Sequence, residues 1–410
     1  MATTATMTEI GALLKNQYEG PIEVAINTEH ELLKLFGEDN RKPSGNGIYF
    51  PVQLTYNTSV RSKSEDGAIP VSRLSVEQQA RITPTELAGR FRITERVLYN
   101  AANDKDAFVA DVDFEMENLQ RTIKNEIDRQ LAGVSVVDTG VYYTGVMTRV
   151  NGTTTTSTTV VVDSTQMFNI GDQIAIGTKA ELQATPSTAE TAIVASITNS
   201  TTMELTAAKS LVDNDYIVKG DANGNAWGLE LNGLDFGIDD DSTVEFEEID
   251  TSDYPQWTAK VAGNSGNARP LSIEDMQALV TAIELRCGKQ PDTIVCHPTH
   301  RDQYVQLLFP QTRYMAREPD GGFKGTVTFQ HGGREMPFVT SRYAKLGTMY
   351  FLDSKSVKKH WSKKPSFMDK DGAVLSRVPD YTMYEATISA QLQLGWRQRF
   401  THGKLTDLST

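Results

Sequence analysis

Alternation of apolar and polar residues predicts a long β-arm near the N-terminus. From Gly47 onwards every second residue is apolar, the pattern of a half-buried strand; these residues are Ile48, Phe50, Val52 and Leu54. Pro51 indicates an edge strand, and a turn-rich stretch at 61–70 separates it from a second extended stretch at 80–94. We therefore predict a two-stranded arm over 47–95. Because an isolated ribbon is marginal in water, we expect only another chain to bury its apolar face.

The segment before this arm, residues 1–46, has short apolar runs interrupted by Gly20-Pro21 and Gly37. This pattern predicts an extended N-terminal arm with one short helix at about 28–36.

A helical period dominates residues 104–132, and Gly133 offers a C-terminal cap. The apolar stripe consists of Val112, Met116, Leu119, Ile123, Ile127 and Leu131. At 1.5 Å per residue the helix is roughly 40 Å long. Its other faces are expected to be solvated or weakly packed, and they carry Glu117, Arg121, Lys124, Asp128 and Arg129.

Composition changes at residue 150 to Thr, Ser, Val and Ile, with turn signals between short β-prone runs. The predicted strands are 158–162, 173–176, 192–197, 202–205 and 216–218. Their number favours an inserted barrel or sandwich over 150–221, and disorder of the Thr-rich part is the alternative. The acidic stretch 235–253 is predicted to be an exposed loop.

The last third has an α/β pattern. Ser272 with Asp275 resembles a helix cap, and the helix runs to Gly288. A strand at 293–296 leads into a helix opened by Pro298. Further strands are predicted at 338–340, 349–352 and 384–396, and the last of these alternates over its whole length.

Composition narrows the function. The hydrophobic fraction is 39%, the charged fraction is 23%, and no apolar run reaches the length of a membrane span. The N-terminus lacks the pattern of a secretory signal, and two cysteines fit a cytoplasmic setting. A net charge of −13 argues against a protein that grips phosphate backbones.

The order of these elements resembles the major capsid proteins of tailed bacteriophages. The stretch Phe91 to Asn103, followed by helical 115–120 and 128–133, is similar to that family's passage from extended loop into spine helix. Pro291 to Pro298 resembles its strand-to-helix step, and Phe168 to Ile176 resembles the β insertion of some members. Each motif is loose, so the specificity of the resemblance lies in their order along the chain.

The resemblance implies an α+β capsid fold with peripheral and axial domains. Its parts would be an N-terminal arm (1–46), an extended β-hairpin loop (47–95), a peripheral domain with the spine helix (96–149), an inserted all-β subdomain (150–221), an acidic connecting segment (222–271), an axial domain (272–345) and closing axial and peripheral strands (346–410). The inter-subunit contacts of the loop would be Ile48, Phe50, Val52, Leu54, Arg61 and Lys63.

The implied function is self-assembly. Pentamers and hexamers would form the icosahedral shell of a virion, built in the host cytoplasm around double-stranded DNA that is not bound sequence-specifically. Since only about 45 residues precede the loop, a separate scaffolding protein is expected, with a portal and a decoration protein as further partners. No cofactor, no membrane contact and no catalysis are expected.

Candidate chemistry has a plainer reading in each case. Cys287, Cys296, His297 and His300 suit zinc by type but not by spacing. Asp221, Asn223 and Asn225 echo a calcium loop that lacks its glycine and glutamate. The glycines at 321–325 and 332–333 lack the Gly-Lys-Ser/Thr of a phosphate loop. The histidines, which are His30, His297, His300, His331, His360 and His402, do not indicate a triad.

Two basic features of the sequence each have more than one possible function. Some family members join a lysine to an asparagine of another subunit, which makes Lys63 a cross-linking candidate; a solvated lysine is the favoured reading. The run Lys355, Lys358, Lys359, Lys363 and Lys364 beside His360 and Trp361 is either a DNA or acidic-partner contact or, as favoured, a solvated face. The alternatives for the whole chain are a bacterial nanocompartment shell, a phage tail or adhesin protein, and an enzyme.

Overall fold

The computed structural model of the protein describes residues 30–39, 41, 47–96, 111–138, 141–184, 187–221, 223–308, 327–369, 374–379 and 381–409. The predictions for 1–29, for the first turns of the spine helix at 104–110 and for the glycines at 321–325 lie outside these residues. Helices and strands are interspersed along the chain, so the predicted α+β class is confirmed. In the described part, no helix is long and apolar enough to cross a membrane.

The helices are α1 (Glu31–Leu35), α2 (Asp111–Ala132), α3 (Lys179–Gln183), α4 (Leu234–Gly237), α5 (Ile273–Cys287) and α6 (Pro298–Leu308), with 3-10 turns at Pro255–Trp257 and Arg399–Thr401. The strands are β1 (Gly37–Asp39), β2 (Ile48–Thr55), β3 (Val76–Ile82), β4 (Thr85–Thr94), β5 (Val134–Asp138), β6 (Val141–Arg149), β7 (Thr154–Val161), β8 (Gln173–Gly177), β9 (Glu190–Ile197), β10 (Thr202–Leu211), β11 (Tyr216–Asp221), β12 (Gly224–Asn225), β13 (Glu245–Phe246), β14 (Ile249–Asp250), β15 (Lys260–Ala262), β16 (Thr293–Cys296), β17 (Thr328–His331), β18 (Arg334–Thr340), β19 (Met349–Leu352), β20 (Val357–Phe367), β21 (Ser376–Arg377), β22 (Met383–Trp396) and β23 (Gly403–Leu405).

The predicted arm divides into a hairpin and a strand of the main sheet. β2 pairs antiparallel with β3, with Phe50 opposite Ala80. β4 instead pairs along its length with β22, from Thr85 opposite Leu392 to Thr94 opposite Met383. The loop proper therefore runs from β2 to β3, and the rest of the predicted arm belongs to the subunit's own sheet.

The spine helix α2 buries the C-terminal half of the predicted stripe, since Ile123, Ile127 and Leu131 are at most 5% exposed. It ends at Gly133, which has a positive φ of 34°, a backbone conformation that glycine adopts readily because it has no side chain. The expectation of a solvated opposite face is wrong at Asp128 and Arg129, which are each 2% exposed. Both are buried because they bind backbone or charged groups of distant segments.

The predicted insertion is a continuous antiparallel sheet. Among the described residues it has eight strands in the order β5-β6-β11-β8-β9-β10-β7, with β12 attached to β11. All five predicted strands are present, and the sheet begins earlier than expected, at Val134. The Thr-rich β7 pairs with β10 and buries Val160 completely. Disorder of this stretch is therefore wrong for its described residues.

The acidic stretch 235–253 is not the exposed loop that its charge predicts. Ile238 and Phe246 are completely buried, and Asp235 is 2% exposed. The Lys404 ammonium group lies 3.1 Å from Asp235 Oδ1. Apolar residues interleaved with the acids fill the core, while carboxylates at the turn positions remain at the surface.

The α/β part contains, in the described residues, a six-stranded sheet in the order β15-β23-β19-β16-β18-β17. α5 begins where Ser272 Oγ accepts a hydrogen bond from Glu274 N at 3.1 Å and ends at Gly288, which has a φ of 69°. Its apolar face packs on the sheet, where Ile283 and Ile294 are both completely buried.

The closing strand β22 pairs with β20, β4 and β21. The predicted inner face is completely buried at Ala386, Ile388, Ala390, Leu392 and Leu394. The opposite face is also buried in part, because Gln393 is 4% exposed and accepts a hydrogen bond from Asn232 N at 2.9 Å. β22 is therefore covered on both sides in the second half of its length.

Candidate inter-subunit loop

The loop base, which we define as β2 and β3, is packed on its own subunit. Its buried residues are Ile48, Phe50, Val52, Ala80 and Ile82, all at most 8% exposed. The base approaches β22 so closely that a Cβ built on Gly395 would lie 2.3 Å from Ile82 Cδ1. The expectation that only another chain could bury this face is wrong. Burial comes instead from segments that lie far away in the sequence.

Polar contacts fix the position of the base. Arg81 N donates to Glu247 O at 2.9 Å, and the Arg81 guanidinium pairs with Glu248. On the other strand, Gln256 Nε2 donates to Leu54 O at 3.2 Å. The turn between β13 and β14 is thus attached to β3, and the 3-10 turn at 255–257 is attached to the end of β2.

Glu247 joins the loop base to the closing strand. Its Oε1 accepts a hydrogen bond from Trp396 N at 3.0 Å, and its Oε2 is a buried atom without a hydrogen-bond partner. The residue keeps some exposed surface, but the carboxyl group itself is inaccessible, and burial raises the pKa of Glu247 to about 8. Glu247 and Glu248 both have positive φ angles, 53° and 65°, in the tight turn. No pattern in the sequence indicated this residue.

The loop tip, which we define as residues 56–75, has no regular secondary structure and extends into solvent. Its large apolar side chains are 82–88% exposed, namely Tyr56, Val60, Ile69, Val71 and Leu74. Exposed apolar groups at this density are typical of a surface that binds a partner.

The two charged residues predicted for inter-subunit contact are both at the tip. Arg61 and Lys63 are exposed, and Lys63 Nζ donates to the backbone oxygens of Ser64 and Glu65 at 3.2 Å. Leu54, in contrast, is half-buried in the base. The structure therefore separates the six predicted contact residues into anchors on the base and exposed groups at the tip.

The start of the described chain is also anchored on the subunit. Asp128 Oδ1 accepts a hydrogen bond from Leu33 N at 2.9 Å, and Lys359 Nζ donates to Leu33 O. Burial raises the pKa of Asp128 to about 6. A short helix of the N-terminal segment is thus held by an acid from the spine helix and a lysine from β20.

This anchorage corrects the reading of the basic run as a solvated face at Lys359 and Lys363, whereas Lys355 and Lys364 are exposed. Lys359 is 5% exposed, Lys363 Nζ donates to Ser389 Oγ, and Lys364 Nζ lies 2.8 Å from Glu38 Oε2. Lys359, Lys363 and Lys364 bind groups of the same chain because they lie on β20, between β1 and β22.

A buried charge network connects the spine helix with the insertion. Arg129 pairs with Glu126 and Glu230, and Lys219 Nζ on β11 lies 2.7 Å from Glu126 Oε2. Burial alone would raise the pKa of Glu126, but the Arg129 and Lys219 charges outweigh it and hold that pKa well below its usual range. The network fixes the insertion to α2, and its charged groups are paired with one another.

Ser356 and His402 are within reach of each other but do not form a catalytic pair. His402 Nδ1 accepts from Asp353 N at 3.1 Å, so the neutral ring carries its proton on Nε2 and donates to Ser356 Oγ at 2.8 Å. The serine hydroxyl in turn donates to Asp353 O at 2.9 Å. Burial lowers the pKa of His402 to about 3. The imidazole therefore cannot take the serine proton, as a nucleophile would require.

The zinc candidates are engaged in local structure. His300 Nε2 accepts from Gly347 N at 2.9 Å, and its Nδ1 lies 2.9 Å from Gln303 Oε1. Cys287 Sγ donates to Ile283 O at 3.1 Å. Among the described residues, no group of three or more His, Cys, Asp or Glu side chains is arranged to hold a metal.

The calcium candidates form a turn of the insertion. Asp221 Oδ1 accepts from Asn223 N at 2.8 Å, and Asn225 Nδ2 donates to Leu182 O at 2.9 Å.

The turn between β17 and β18 contains Gly332 and Gly333 with φ angles of 56° and 82°, so these glycines serve a tight turn.

Comparison with known proteins extends these observations. The sequence model of the family described as SU10 major capsid protein matches residues 214–409. No curated protein sequence matches the chain significantly.

Solved structures resemble the chain over its whole length. The capsid asymmetric unit of cyanophage A-1(L) has a TM-score of 0.60 and 13% identity, covering 99% of this chain and 100% of that one. The capsids of a native and an empty GTA particle have TM-scores of 0.54 and 0.55 at 8% and 9% identity. These cover 100% and 99% of this chain and 100% of each of those chains. At such identities the likeness is one of fold.

Proposed function

We propose that this chain is a shell-forming major capsid protein that builds the icosahedral head around the double-stranded DNA genome of a tailed phage. The match of residues 214–409 to a major capsid protein family and the fold shared with solved capsids support the proposal. Pentamers and hexamers of the chain would form the shell. The observation that carries the proposal is a loop base packed on the rest of its own chain, from which an apolar tip projects into solvent.

The tip supplies the contact that a shell subunit needs. Burying a large apolar side chain stabilises an interface by roughly 1.5–3 kcal/mol, and five such side chains are exposed on the tip. We assign the tip, including Arg61 and Lys63, to the surface of an adjacent copy. Ile48, Phe50 and Val52 contribute indirectly by holding the base in place.

The charge of the chain agrees with a container for DNA. A subunit with 53 acidic and 40 basic residues has little net attraction for phosphates. The packaged DNA would be confined by the shell without sequence-specific binding. Assembly in the host cytoplasm, with a separate scaffolding protein, a portal and a decoration protein, completes the proposal.

Removal of the tip tests the proposal. Thr55 and Val76 face each other at the end of the hairpin, so replacing 56–75 by Asn-Gly closes the two strands with a tight turn. We expect the purified variant to keep the circular dichroism spectrum and melting temperature of the wild type but to form no closed shells in electron microscopy.

A variant with Ser62→Ala and Ser72→Ala, two exposed polar positions of the same tip, is the matched control and should assemble normally. Closed shells formed by the tip-deleted protein would contradict the assignment of the tip to an adjacent copy.

A bacterial nanocompartment shell is the second candidate, because a shell of the same subunit architecture could enclose an enzyme instead of a DNA genome. Particles purified from the native source would distinguish the two: a nuclease-protected double-stranded DNA supports the phage head, and an enclosed enzyme supports the nanocompartment. Tubes would indicate the tail alternative.

A further inference from the structure

A cleft of about 750 Å³ lies along the outer edge of β2. Phe50 and Pro51 both line it, although neighbouring residues of a strand face opposite sides. The cleft therefore follows the edge of the strand and not one of its faces. Turns of the α/β part form the opposite wall.

Positive charge is concentrated in this cleft. Its cationic residues are Arg41, Lys289, Arg334, Lys355 and Arg397, of which Arg397 pairs with Asp39. Lys289 Nζ donates to Gln398 Oε1 at 2.6 Å and Arg334 Nη1 donates to Gln290 O at 3.0 Å, so both donate to neutral acceptors.

The carboxylates of the cleft are engaged mainly in its own turns. Asp292 accepts from Ser354 N at 2.9 Å and from Ser354 Oγ at 2.7 Å, and Asp353 Oδ1 accepts from Lys355 N at 3.3 Å. Glu335 is the third carboxylate in the lining. We name this region the cationic cleft. Its mixed lining disfavours a polyphosphate, in which every unit is anionic, and suits an acidic protein surface.

An acidic surface lies at the opposite edge of the same hairpin. Residues 239–253, which we name the acidic ridge, contain eight Asp and Glu residues and no Lys or Arg. Of these acids Glu247 has a buried carboxyl group, and Asp239 and Glu248 pair with Lys404 and Arg81. The ridge touches β3, because Arg81 N donates to Glu247 O in the turn between β13 and β14. Asp240, Glu245 and Asp253 are exposed on it. The loop base thus separates a cationic edge from an acidic edge.

We propose that the cationic cleft of one copy receives the acidic ridge of the next copy around a capsomer. A contact between two different surfaces of identical subunits is head-to-tail, and such contacts form a ring when the rotation between neighbours closes. Opposite charges across it guide association and exclude wrong orientations. The inference rests on the proposed shell function and specifies which surfaces meet within one ring.

Charge reversal tests the pairing. The cleft variant carries Lys289→Glu and Arg334→Glu, and the ridge variant carries Glu245→Lys and Asp253→Lys. We expect each variant to fold with a wild-type melting temperature and to lose at least about tenfold in capsomer yield, because like charges then face each other. If the cleft variant fails to fold, Arg41→Glu with Lys355→Glu, at two exposed positions, replaces it.

Rescue gives the decisive result. A chain with both reversals restores opposite charges at every contact, so pentamers and hexamers should both return. In an equal mixture of the cleft variant and the ridge variant, opposite charges meet at every contact only where the two variants alternate around the ring. Alternation is possible in a ring of six but not in a ring of five. Recovery of hexamers without pentamers in the mixture, resolved by native mass spectrometry, is the expected signature.

Two outcomes overturn the inference, namely normal assembly of the cleft variant and failure of the combined variant to assemble. If the normally assembled particles of the cleft variant also lose their DNA, the cleft has a DNA-binding role instead. Wild-type protein that forms no shells at all would instead refute the proposed function, so the two failures are distinguishable.

Discussion

Glu247→Gln should stabilise the subunit more strongly as the pH rises. Burial raises the pKa of Glu247 from its ordinary 4.5 to about 8, so the folded state holds a proton that the unfolded state releases between these values. The stability due to this group is fully present below pH 4.5 and is lost as the pH rises through 8. Glutamine cannot ionise, and its side-chain oxygen can still accept the hydrogen bond from Trp396 N.

The magnitude follows from the displacement of the pKa. One pH unit corresponds to about 1.36 kcal/mol, so the substitution stabilises by up to about 3 kcal/mol at pH 7 and by up to about 5 kcal/mol at pH 9. At pH 4 the two proteins should be nearly equal. Denaturant titrations of the unassembled subunit at these three pH values, followed by tryptophan fluorescence, measure the difference.

Glu245→Gln is the matched control, because Glu245 lies in the same hairpin with an exposed side chain. We expect it to leave the pH dependence of unfolding unchanged. A Glu247→Gln variant whose midpoints stay parallel to those of the wild type from pH 4 to pH 9 would refute the buried, protonated carboxyl group.

Three further substitutions test the anchoring contacts. Asp128→Asn should stabilise by up to about 3 kcal/mol above pH 6 and by little below pH 4, since burial raises this pKa from 3.8 to about 6; parallel pH profiles would contradict it. Phe50→Ala should destabilise the isolated subunit by about 3–5 kcal/mol. The control, Val60→Ala at the exposed tip, should not lower the melting temperature. Equal effects of the two substitutions on the melting temperature would contradict the distinction between a buried base and an exposed tip. Arg129→Met leaves the buried Glu230 without its ion-pair partner and Glu126 with Lys219 alone, and it should cost about 3–5 kcal/mol. Lys124→Met on the exposed face of α2 is the control, and equal unfolding midpoints of the two variants would show that the network contributes nothing.

Elements whose pattern is local could be predicted from the sequence. The spine helix ends at the expected glycine, and the closing strand has the expected alternation, because hydrophobic periodicity is a property of consecutive residues. The insertion strands were found for the same reason. These features are enough to indicate the order of elements in the capsid fold.

The anchoring contacts could not be predicted, because they join segments far apart in the sequence. Asp128 binds Leu33 at a separation of 95 residues, and Lys359 binds the same residue at a separation of 326. An acid or lysine on a predicted surface is indistinguishable from one that caps a distant backbone group. One signal was available: the next-to-last residue of the closing strand is a glycine, Gly395, and a glycine in a strand often marks the close approach of another segment, here Ile82.

Docking of the loop base changes the energetics of the contact that the tip makes. A free ribbon would lose the conformational freedom of both strands on binding, whereas a docked base has already lost it during folding, so association orders only the tip. The turn that binds β3 through Glu247 O also carries the acidic ridge. The direction of the tip and the position of the ridge are therefore set by one hairpin contact. A substitution that loosens this contact should weaken the loop interaction and the ring interaction together, while a substitution at the tip should weaken only the first.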